Sequence, residues 1–133
     1  MGLKNATKVF ENVEYTVVAQ SYIDVISIMI YKGERLSKMF ECQLFPQPGG
    51  VVSNEMILPN LAPTPLVGTS QEDSAGQLFT SAIASMISRQ SPDDTRKVVV
   101  GMGPLGPRNN EPSQMDRREL LFVIELVESC RVW

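Results

Sequence analysis

The sequence predicts an α+β fold: an antiparallel β-sheet of about five to six strands that opens with a meander and carries two main helices, in the order βββ(β)β-α-β-α. Three observations predict it. Apolar residues alternate with a period of two over Val25–Tyr31 and most of Leu36–Phe45, they recur at helical spacing over Ala75–Ile87, and they fill a broad helical arc from Leu120 to Cys130. With 133 residues, 43% hydrophobic and 20% charged, the chain reads as one domain, 1–133, able to bury an ordinary core.

The strands come first. Glu14–Ile23 is rich in β-branched and aromatic residues. Val25–Tyr31 places Ile26, Ile28 and Ile30 on one face, with Ser27, Met29 and Tyr31 on the other. Gly33 supplies a turn, and Leu36–Phe45 follows with Leu36, Phe40, Cys42 and Leu44 sharing a face that Lys38 interrupts. This is the pattern of an antiparallel meander of at least three strands. Residues 46–65 change character, with five prolines and two glycines, so most of the segment is loop. Val51, Val52, Met56, Ile57 and Leu58 are apolar for a solvated loop. They suit either a short strand near Glu55–Leu58 that covers a sheet edge or a loop that binds another protein.

A short strand ending at Leu66–Val67 then gives way to a helix. Thr69 and Glu72 form a capping box, and the helix runs to about Gln90 with Ala75, Leu78, Phe79, Ala82, Ile83, Met86 and Ile87 as its core stripe. No charge occurs between Ser74 and Ser88, and the back face is Gln77, Ser81, Ala84 and Ser88. Solvated faces carry charge, so this face is either covered by a loop of the same chain or is a subunit interface, for which these residues are the candidates. Arg96–Met102 is a buried strand, and Gly103–Ser113 is a second Pro/Gly loop. The last helix opens at Asp116 and Glu119. Its apolar arc of about 200° at 100° per residue is wider than one sheet face covers. Leu121 lies among its charges, and the sequence ends on its one tryptophan, Trp133. Leu121 and Trp133 join the candidate interface.

Chemistry is poorly supplied. There is no histidine, which removes the usual general base, the commonest metal ligand and every Ser-His or Cys-His arrangement. Gly101-x-Gly103-x-x-Gly106 matches a dinucleotide fingerprint in letters, yet Pro104 removes an amide donor and no helix opens after it. Cys42 and Cys130 read as small core residues, Asp93–Asp94 as a turn, and the seven methionines mainly as core filling. Ser37 and Lys38 are adjacent in a strand and point to opposite faces. No catalytic residue, cofactor or metal is expected. The net charge of −3 and pI near 4.9 argue against nucleic acid and anionic membranes as partners. With no signal peptide and no apolar run long enough to span a bilayer, the expectation is a reduced, intracellular, soluble protein that binds other proteins.

The order of elements, "PLVGTSQEDSAGQLFTSAIASMIS", "RKVVVGMGPLG" and the ending "VESCRVW", with Cys130, Arg131, Val132 and Trp133 in its tail, resembles the proteasome assembly chaperone 3 family. The opening "VEYTVVAQSYIDVISIMI" is similar to that family's first strand pair. The resemblance covers most of Val9–Trp133, and the two Pro/Gly loops depart from it. It implies a non-catalytic chaperone, cytoplasmic or also nuclear. Such a chaperone pairs with an assembly chaperone 4-like subunit, or with itself, and holds α subunits while the α-ring of the 20S proteasome forms. On that reading Val51, Val52, Met56, Ile57 and Leu58 touch the client and the helices serve the partner. The alternative is a small scaffolding or dimerisation module of a trafficking or signalling complex.

Overall fold

The computed structural model describes residues 2–33, 36–45, 63–67, 74–103 and 117–133. Strands β1 (Leu3–Phe10), β2 (Val13–Ser21), β3 (Val25–Lys32), β4 (Lys38–Gln43) and β5 (Thr64–Val67) precede helix α1 (Ser74–Gln90), strand β6 (Lys97–Met102) and helix α2 (Arg117–Ser129). The α+β class and the order of strands, helix, strand, helix are those the sequence predicts. The Thr69–Glu72 capping box, the strand expected near Glu55–Leu58 and most of the second Pro/Gly loop lie outside the described residues.

The six strands form one sheet in the order β1-β2-β3-β6-β4-β5. Two features differ from the predicted meander. First, the meander is β1-β2-β3, and β1 comes from a stretch too polar to show a buried-strand pattern; its residues are mostly exposed. Its turn is two residues long, with Glu11 (φ 49°) and Asn12 (φ 65°) both left-handed, the geometry that matches strand twist in a tight hairpin. Second, β4 does not follow β3 in the sheet. Strand β6 inserts between them, parallel to β3 and antiparallel to β4, so the sheet is mixed. Alternation reports which face a residue occupies, not which strand lies beside it.

One face of the sheet holds the core. Tyr15, Val17 and Ala19, then Ile26, Ile28 and Ile30, then Val98, Val100 and Met102, then Phe40, Cys42 and Leu44 are all buried on it. Helix α1 packs over β4 and β6, and α2 over β1 and β2. From α1 come Phe79, Ala82, Ile83, Met86 and Ile87; from α2 come Leu120, Val123, Leu126, Val127 and Cys130. Leu36 departs from its predicted face. It is 38% exposed and its Cδ1 lies beside Gly101, on the opposite side of the sheet from Phe40, because it precedes the strand whose alternation it was expected to share.

Candidate protein-binding surface

Both helices lie on one face, and among the described residues no element lies on the other. Register assigns that open face. One row across it runs Asn5, Val18, Met29, Gly101, Met39; a second runs Leu3, Gln20, Ser27, Val99, Glu41; Thr7, Thr16 and Tyr31 form a third. Its middle is apolar and uncharged: Val18, Met29, Tyr31, Val99 and Met39, half-buried among their neighbours, with Leu36 at the margin. Charge on this face is limited to Glu14, near the start of β2, and to the pair Lys97–Glu41 on β6 and β4, whose Nζ and Oε2 are 3.4 Å apart. Thr7 and Thr16 share a hydroxyl hydrogen bond of 3.0 Å.

Gly101 shapes the centre of this surface. The space its side chain would need is taken by Met29 Sδ, so the methionine lies across the strand rather than standing away from it. Glycine inside a strand costs stability and marks close approach. Here the approach is by a flexible side chain of the neighbouring strand.

The helix side is closed by contacts within the chain. Glu119 is buried, yet its carboxylate is answered: Tyr15 Oη donates to Oε2 at 2.5 Å and Lys32 Nζ at 2.9 Å. Phe122 stacks on Phe10 (5.0 Å between centroids) and meets Tyr15 edge-on at 5.2 Å. These contacts fasten the first turns of α2 to β1, β2 and the end of β3. At the other end, Trp133 Nε1 donates to Gln90 Oε1 at 2.8 Å, and Gln90 Nε2 donates to Glu128 Oε1 at 3.2 Å. Arg131 donates to the backbone oxygens of Trp133 and Gln90. The apolar ending thus docks on the end of α1.

The sequence-predicted site residues fall as follows. Val51, Val52, Met56, Ile57 and Leu58 lie outside the described residues. Ser81, Ala84 and Ser88 are buried inside the chain, so their lack of charge reflects packing of α1 and leaves them off the molecular surface. Gln77 and Trp133 are half-buried, and of the six only Leu121, at 45%, is exposed. The open sheet face went unread because its residues alternate with the core and pass as ordinary strand surface. Its signal is the scarcity of charge at Val18, Gln20, Ser27, Met29, Tyr31, Val99 and Met39.

Both cysteines are free and buried. Cys42 is buried, and burial pushes its thiol up to about 11; Cys130 Sγ lies 3.9 Å from the Val17 carbonyl oxygen. Among the described residues no three or more His, Cys, Asp and Glu side chains group as a metal site, and no helix is long and apolar enough to cross a membrane. Asp94, in the turn after α1, is held below the usual carboxylate range by hydrogen bonding from the Arg96 side chain, which is a structural pairing.

No protein-family model matches the chain, and no curated protein matches it in sequence. Among solved structures, a chain of a chaperone complex for yeast 20S proteasome assembly has a similar fold. Its TM-score is 0.71 with 16% identity, and the match covers 97% of this chain and 98% of that one. The likeness is therefore one of fold, over nearly the whole of both chains.

Proposed function

We propose that this chain is a non-catalytic chaperone of 20S proteasome assembly that works as one half of a two-chain complex. The observation that carries the reading is the two-way match, nearly end to end, to a chain that itself belongs to such an assembly complex. The open sheet face supports it physically. A wide surface with an apolar, uncharged middle and charge at its margins has the anatomy of a protein interface, and two such faces pack with their strands aligned. The pairing surface is thus the sheet, with the buried face of α1 serving the chain's own core. The partner is an assembly chaperone 4-like subunit, or a second copy when that subunit is absent.

The complex then covers lateral surfaces of free α subunits until neighbouring subunits displace it, since such apolar patches associate wrongly when left open. Val51, Val52, Met56, Ile57 and Leu58 are the proposed client contact. Native mass spectrometry tests the reading. The chain is mixed with individual proteasome α subunits, with and without the candidate chaperone partner. A discrete complex with one or two α subunits supports the proposal; no complex with any, partner included, sinks it. Met29→Glu should abolish pairing while leaving a folded monomer. Polar replacement of Val52, Met56 and Ile57 together should weaken client binding and spare pairing.

A further inference from the structure

Strand β1 is an edge of the sheet, and the direction of its backbone groups can be derived. Ser21 N donates to Gly2 O at 2.9 Å, which makes Gly2 and Ser21 a hydrogen-bonded pair. Such pairs alternate along an antiparallel ladder. Lys4, Ala6, Lys8 and Phe10, opposite Ala19, Val17, Tyr15 and Val13, therefore spend their N–H and C=O groups on β2. The two-residue turn after Phe10 closes the same phase. Leu3, Asn5, Thr7 and Val9 direct theirs away from β2, where no described residue pairs with them. The register is unbroken from Leu3 to Phe10 and the strand has no proline, so neither of two common devices that blunt an edge is present.

The edge carries charge of one sign. Lys4 and Lys8 share the helix-side face, both are exposed, and neither has a hydrogen bond or ion pair among the described residues. Among the described residues nothing compensates them, in a chain of net charge −3. Lysine on an edge usually turns away like strands, and it does so here: the register that pairs the whole strand with a second copy, Leu3 against Val9, sets each Lys4 opposite a Lys8. The same two lysines accept a strand of opposite charge.

We propose that the β1 edge takes up an extended segment of a partner protein by strand addition, with carboxylates four residues apart on the helix side meeting Lys4 and Lys8. Main-chain hydrogen bonds to Leu3, Asn5, Thr7 and Val9 supply the binding, and the lysines supply the choice. This surface is separate from the open sheet face and does not depend on the assembly role.

The test is residue-resolved amide exchange of the full chain, with a short peptide of alternating threonine and valine that carries two glutamates four positions apart. A counterpart with lysines at those positions is the control. Expected is slowed exchange at Leu3, Asn5, Thr7 and Val9 with the glutamate peptide and binding about tenfold weaker for the lysine peptide, the size two exposed charge contacts can set. The double variant Lys4→Glu/Lys8→Glu, altered only at exposed positions, should reverse the preference. Equal binding of both peptides, no protection at these four amides, or amides already protected by self-association before peptide is added would each overturn the proposal.

Discussion

Glu119 brings a carboxylate into the interior, which is tolerable because Tyr15 and Lys32 both donate to it there. Removing one leaves a buried charge under-partnered, and that loss exceeds the net worth of the bond. Lys32→Met should destabilise the fold by roughly 1–2 kcal/mol, a range that allows for the lysine's partial exposure to solvent. Urea unfolding of Lys32→Met, Tyr15→Phe and the double variant would read the coupling; additive losses would show that the three groups do not act together. Cys42 makes a second residue-scale prediction. Its thiol is raised to about 11 by burial, so the folded state holds a proton that the unfolded chain releases above the ordinary thiol range. Stability from this group is intact at neutral pH and falls as pH rises towards that value. Chemical denaturation at stepped alkaline pH should show the decline for the wild type and lose that component in Cys42→Ala.

At the scale of elements, α2 is held at both ends by side chains that the sequence marks only partly. Its apolar arc is legible, since Leu120, Val123, Leu126, Val127 and Cys130 fall on one side of a helix of any sequence with that spacing. The acid at Glu119 reads as an ordinary helix-start residue, because its partners Tyr15 and Lys32 are 104 and 87 positions away and no local pattern announces them. Strand β1 is illegible for a related reason: only Ala6 and Phe10 of its eight residues are partly buried, too few to show a strand period. Trp133 reads from the sequence as part of an interface, whereas its indole N–H is bonded within the chain to Gln90, 43 positions away. Trp133→Phe keeps most of the packing and removes the indole N–H, so it should cost about 0.5–1.5 kcal/mol. Thermal unfolding measures that loss. A change no larger than that of Leu121→Ala would show the hydrogen bond to Gln90 to be idle.

For the molecule as a whole, periodicity shows which residues face the helices but cannot assign the other face a purpose. Gly101 provides a way to ask. Adding a methyl group there pushes out the end of the Met29 side chain, which is flexible, and relieves the entropic cost of glycine in a strand. Gly101→Ala should therefore leave stability within about 1 kcal/mol of wild type while roughening the centre of the open face. Sedimentation with the pairing subunit should show a weakened complex. Unchanged pairing would move the interface away from the sheet.

Insertion of β6 between β3 and β4 also makes the fold a matter of timing. The first three strands can assemble as hairpins once Lys32 has left the ribosome, but β4 gains no link to them until Met102 has emerged. At a synthesis rate of about 5–20 residues per second, that interval lasts on the order of 4 to 14 seconds. Through it, the apolar sides of β3 and β4 each wait, unjoined, for a strand that has not yet been made.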